Sequence, residues 1–131
     1  MRKENRESGR RVRSSGYPES LREAVLRLVL ELEAEDLGQL SEIDENAKVS
    51  LHFGLGMWIR NNFGLWSEES ALMKELQCLH ADDASSRIID ALLSHLGREP
   101  DTVKLKAEAM AELEAKAETG RRASATRRKH A

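Results

Sequence analysis

Apolar residues recur at helical intervals along most of the chain. Leu21, Val25, Leu28 and Leu32 follow one another at steps of three or four, with Ala24 and Val29 beside them. That spacing is one face of an α-helix. Pro18 suits a first turn, where its missing N–H is harmless, so the first helix is predicted to start near it. Glu19 and Glu23 then lie at the positive end of the helix dipole. A short second helix is predicted over 35–43, with Leu37, Leu40 and Ile43 inward. Gly38 weakens it by about 1 kcal/mol relative to alanine. From about Asp44 to Asn62, one set of apolar residues (Val49, Phe53, Met57) and another (Leu51, Leu55, Trp58, Ile59) cover more than one face. A helix apolar on most sides is expected at the centre of its domain. Gly54 and Gly56 are then read as points where a neighbouring helix comes close, and Gly64 as the helix terminator.

Ser67 precedes a predicted fourth helix with Leu72, Leu76 and Leu79 as its stripe. His80-Ala81-Asp82-Asp83 reads as a break, with Asp82 or Asp83 capping a fifth helix that runs to Gly97. Ile88, Ile89, Leu92, Leu93 and Leu96 line that helix. After Pro100, a sixth helix over 101–118 carries a thin stripe at Val103, Leu105, Met110 and Leu113, and is expected to pack loosely. No alternating strand pattern and no internal repeat is present. The expected fold class is all-α: a compact bundle of about five helices plus a looser C-terminal one. In domain terms this means a basic arm over 1–16, a helical domain over 17–98, the last helix over 99–119 and a basic tail over 120–131.

Charge sharpens that division. Residues 1–16 hold six Arg or Lys against two Glu, and residues 120–131 hold five Arg or Lys and no acid. Residues 17–119 hold ten bases against 21 acids, a net −11 inside a chain of net −2. The two ends carry too little apolar surface to offset the entropy of ordering, and are expected to be disordered. The single cysteine, Cys78, excludes an internal disulfide and any multi-cysteine zinc site; it is read as a buried thiol in an apolar run. No stretch approaches the roughly 18 apolar residues that span a bilayer, and no apolar signal core follows the basic N-terminus. A cytoplasmic protein without membrane association is expected.

Two stretches carry a resemblance. Ser50 to Trp66 reads SLHFGLGMWIRNNFGLW, and His80 to Ser85 reads HADDAS. Together they resemble a small bacterial helical family classed as a domain of unknown function, whose members pair an IRN-x-x-GLW-like stretch with an H-P-D-D-x-S-like one. The resemblance covers about residues 18–97. Ala81 stands where that pattern has proline, which loosens the expected turn. The resemblance implies a compact helical domain and brings no catalytic assignment.

The same stretches hold the polar residues worth weighing. On a helix over 48–62, His52 and Arg60 flank one broad face. Asn61 lies at the helix end, and Asp82, Asp83 and Ser85 open the next long helix, where free N–H groups attract anions. One reading gathers His52, Arg60, Asn61, His80, Asp82, Asp83 and Ser85 around a pocket, while an exposed Trp66 would mark a partner surface. Arg60 would then hold a phosphate or carboxylate, and a histidine oriented by Asp83 would move a proton. The other reading has Arg60 pair with Asp82 or Asp83 and tie two helices together, with Trp66 packed over the junction. Trp58, Trp66, Phe53 and Phe63 are expected in the core. The sequence has no HExxH, no Gly-x-Ser-x-Gly elbow and no nucleotide-binding glycine loop. No catalytic residue, metal or cofactor is therefore expected. The reading is a non-enzymatic binding or regulatory module working through protein contacts or self-association. A small-ligand protein or enzyme centred on His52, Arg60 and Asp83 is the alternative. Nucleic-acid binding through the basic ends is the second alternative.

Overall fold

The computed structural model describes residues 16–130, with side chains described through residue 119. The basic arm expected over 1–16 lies outside the described residues apart from Gly16. Six helices follow in order: α1 (Leu21–Glu31), α2 (Ala34–Leu40), α3 (Glu45–Asn62), α4 (Ala71–Leu76), α5 (Ala81–Arg98) and α6 (Thr102–His130). No strand occurs among the described residues. α5 lies between α1 and α3, and α1 lies between α5 and α6, so α3 and α6 form the two flanks. α1 packs on α5, and Ala24, Leu28 and Val29 of the first and Ala84, Ile88, Leu92 and Leu96 of the second belong to one buried cluster. Leu37, Ile59, Phe63, Leu72, Leu105 and Ala109 close it from the other elements.

The helix starts are set by local side-chain bonds. α1 begins at Leu21 rather than near Pro18, because the Ser20 hydroxyl accepts the Glu23 N–H at 3.1 Å. Asp44 caps α3 by accepting the Ala47 N–H at 2.8 Å. Ser70, not Ser67, caps α4, through the Met73 N–H at 3.1 Å. Ser67 instead shapes the preceding turn by accepting the Glu69 N–H. α4 ends at Gln77 in the left-handed region (φ 57°), which leaves Leu79 exposed rather than on an apolar stripe. Neither Asp82 nor Asp83 caps α5. That helix starts two or three residues earlier, with His80 at the cap position and both aspartates in its first turn. Gly64 (φ +70°) ends α3 as expected, and Leu65 N–H returns to Arg60 O at 3.2 Å. The Tyr17 ring lies over Gly64, where an added Cβ would come within 2.6 Å of it.

Three expectations about packing need correction. α3 is a flank, not the central helix: only Gly56 and Ile59 are buried within it, while Val49, Phe53 and Met57 are 61%, 73% and 54% exposed. Two of the four aromatics expected in the core are outside it. Phe63 is buried and meets Trp58 edge-on at 5.6 Å, but Phe53 and Trp66 are exposed. Cys78 is half-buried, not buried.

α6 packs on α1 more closely than its thin stripe suggests. Val103 and Met110 point outward, and Leu105 and Ala109 supply the buried contact. Polar bonds do the rest. The Lys106 ammonium donates to the carbonyls of Val29 and Leu32 at the end of α1, where a cation satisfies carbonyls that have no helical partner. Arg22 donates twice to Glu112, at 2.7 and 2.8 Å, which holds that carboxyl below its usual range. The backbone of α6 continues to His130 through the segment whose composition predicts disorder; alanine and arginine, frequent there, are strong helix formers.

The most buried ion pair among the described residues is Glu23–Arg27 on α1. The guanidinium is 2% exposed and meets the carboxylate at 2.7 Å. Glu23 also accepts the Glu19 N–H at 3.3 Å and faces Lys116 of α6 at 3.5 Å, while Arg27 donates to Gly16 O. Arg27→Met strands a buried carboxylate and is expected to cost roughly 3–5 kcal/mol. Lys104→Ala, at an exposed pair, should stay within about 0.5 kcal/mol; urea melts of both variants check the contrast.

His95 provides a pH readout. Burial, then the Arg22 and Arg98 charges, push its pKa below the ordinary 6.5. The unfolded chain therefore takes up a proton that the folded chain refuses, so stability falls as pH drops through the ordinary histidine range. Melting temperature should decline from about pH 7.5 to about pH 5.5 in the parent, and decline less in His95→Gln. Identical profiles would remove His95 as the cause.

Candidate functional site

The polar residues singled out in the sequence sit along the seam between α3 and α5, or beside it. Gly56 lies on the seam, with Arg60 tight over it and α5 side chains at contact distance. A Cβ there would stand 3.2 Å from Arg60 Nη1, 3.6 Å from Ser85 Oγ and 3.8 Å from Ile89 Cδ1. One turn on, Arg60 lies over that gap. Its Nη1 donates to Ser85 Oγ at 3.0 Å, and Ser85 Oγ donates to Asp82 O at 3.0 Å. Arg60 Nε faces Asp82 Oδ1 at 3.4 Å. The guanidinium is largely covered and the aspartate is open to water, so the ion pair itself contributes about 0–1 kcal/mol. The bond to buried Ser85 is the stronger tie.

The other residues close into separate pairs. His52 Nδ1 and Ser86 Oγ share a hydrogen bond of 3.2 Å further along the seam. Trp66 Nε1 donates to Asn61 Oδ1 at 2.8 Å on the exposed side of α3. Asn62 turns back to the Trp58 carbonyl at 2.8 Å. His80 and Asp83 are exposed at the start of α5, and His80 makes no side-chain capping bond. The structure thus joins Arg60 to Ser85 and Asp82, His52 to Ser86, and Asn61 to Trp66. It brings neither His80 nor Asp83 to Arg60. Among the described residues, no group of three or more His, Cys, Asp or Glu is placed to hold a metal ion.

Two open grooves lie elsewhere. One, of about 550 Å³, is lined by Leu21, Glu75, Leu76, Gln77, Arg87 and Asp90. The other, of about 520 Å³, runs between the end of α1, α2 and the first half of α3. Sequence reasoning passed over both, because each is assembled from residues far apart in the chain. It also passed over Glu23–Arg27, although their spacing of four was a readable signal for a helical ion pair.

The seam makes opposite demands on the two glycines of α3. Gly54 faces open space: a Cβ added there would meet nothing within 4 Å, so the close approach expected of it is absent. Gly54→Ala should raise stability by roughly 0.5–1 kcal/mol through helix propensity alone. Gly56→Val must displace Arg60, Ser85 and Ile89 and should lower it by about 1–3 kcal/mol. Denaturant midpoints of the two variants test this; shifts of the same sign would contradict a seam closed at Gly56.

Searches of curated proteins and of solved structures returned no match. A family profile described as Domain of unknown function (DUF6794) matches residues 17–96. That span holds α1 to α4, nearly all of α5 and the whole Arg60 seam, and the chain belongs to this family.

Proposed function

We propose that this domain is a non-enzymatic module that acts by docking a protein partner on the outer side of α3. The observation that carries the reading is the row Val49, Phe53, Met57. These three side chains follow at intervals of four and stand 61%, 73% and 54% exposed. Residues four apart on a helix lie one above the other, so they form a continuous slanting strip. The next position in the row is Asn61, which holds the indole of Trp66, itself 64% exposed. The strip therefore runs from an aliphatic end to a tryptophan oriented by a hydrogen bond.

Single exposed apolar residues are ordinary on protein surfaces, but a contiguous strip marks an interaction surface. Phenylalanine, methionine and tryptophan are enriched at protein interfaces, where large anchors carry most of the binding energy. The polar residues of the seam are already engaged with one another, which favours a structural role for them over substrate chemistry. The alternative reading through the basic ends concerns side chains outside those described.

The test is Phe53→Glu combined with Met57→Glu. Both positions are exposed, so stability should change by no more than about 0.5 kcal/mol per site. Affinity capture from the native host, with light scattering for self-association, should show a stoichiometric protein complex for the parent and its loss in the double variant. Undiminished assembly in the double variant, or recovery of a bound metabolite in place of a protein, would overturn the proposal.

A further inference from the structure

The second groove described above has a composition of its own. Leu40, Leu51 and Leu55 line its floor, while Asp36, Glu42 and Asp44 stand among its walls. No lysine or arginine lines it. The chain around it is strongly biased: residues 31–45 contain seven acidic residues and no basic one. Among the described residues, neither Asp36 nor Glu42 meets a cation, and Asp44 spends one oxygen on the α3 cap. Leu40, Leu51 and Leu55 are partly buried and packed against the core, so the floor is firm and still open to solvent. Lys106 stands at the Leu32 end, while Asp36 and Glu42, with no cation paired to either among the described residues, leave negative potential over a low-dielectric floor at the rest of the groove mouth. That combination repels nucleic acid, anionic lipid and acidic peptides.

We infer that this groove receives a lysine- or arginine-bearing amphipathic segment of a partner protein, its apolar side chains on Leu40, Leu51 and Leu55 and its cations against Asp36 and Glu42. The assignment goes beyond the docking strip proposed above, because it uses a different flank of α3. Positions 51 and 55 lie well round the helix from the strip at 49, 53 and 57. A partner helix laid here would satisfy both halves of the groove: apolar contact supplies affinity, and the charge pattern supplies selectivity and a fast encounter.

The probes are three synthetic peptides titrated into the full chain: an amphipathic leucine/lysine helix, the same pattern with glutamate for lysine, and a lysine/glycine peptide without apolar residues. The leucine/lysine peptide should bind, weaken with added salt, and shift the methyl resonances of Leu40, Leu51 and Leu55. The glutamate version should not bind, and the lysine/glycine version should bind at least tenfold more weakly. Asp36→Lys with Glu42→Lys should reduce affinity at least tenfold while melting stays unchanged. Phe53→Glu with Met57→Glu should leave peptide binding as it was, so failure of the outer strip and failure of the groove read out separately. Equal binding of the lysine/glycine peptide, or indifference to reversal at 36 and 42, would overturn the inference. So would methyl shifts confined to the outer strip. Tighter peptide binding on replacing Arg10, Arg11 and Arg13 by alanine would assign the groove to the chain's own N-terminal segment and equally overturn it.

Discussion

A carboxylate and a guanidinium sealed inside α1 set the conditions under which the rest of this protein can assemble. Glu23 and Arg27 meet one turn apart, almost without solvent. Desolvating both charges is expensive, and the pair is tolerable only because other groups complete it. The Glu19 N–H and Lys116 approach the carboxylate, and Gly16 O accepts a hydrogen bond from the guanidinium. These partners come from the segment before α1 and from α6. The buried pair therefore couples both ends of the described chain to one helix. Lys106 on the end of α1 and Arg22 with Glu112 fasten the same interface at other points along its length. α6 lies beyond the residues matched by the family, yet it supplies Leu105 and Ala109 to the core and a cation to the most buried carboxylate.

The opposite flank is built on a different principle. α3 joins α5 through a narrow seam: a glycine that admits the neighbouring helix, an arginine bonded to buried Ser85, and a histidine bonded to Ser86. Because the seam is narrow, much of the apolar surface of α3 stays outside the core. One flank carries Val49, Phe53 and Met57, and the other lines the acidic groove with Leu51 and Leu55. A helix in the middle of a bundle would have buried both. Its position at the edge makes the same residues available for contact, and links the packing of α3 to the protein-docking role proposed for it.

The periodicity of the chain alone determined how many helices the described residues form and nearly where they lie, because apolar spacing and capping residues act within one or two turns. It also determined that Gly64 ends α3, since a left-handed terminator is a local requirement, and it offered Arg60 with Asp82 as a tie between two helices. What it could not determine is which apolar face meets a neighbour. Val49, Phe53 and Met57 have the same spacing as Ile88, Leu92 and Leu96, and only the way α3 and α5 pack leaves the first set in water and the second in the core. Likewise Gly54 and Gly56 are equivalent as residues, and the approach of Arg60, Ser85 and Ile89 separates them. The closure of Glu23–Arg27 by Lys116, and the groove between α1, α2 and α3, needed residues distant in the chain to meet. Such contacts depend on how helices stack in three dimensions, and helical spacing carries no record of that stacking.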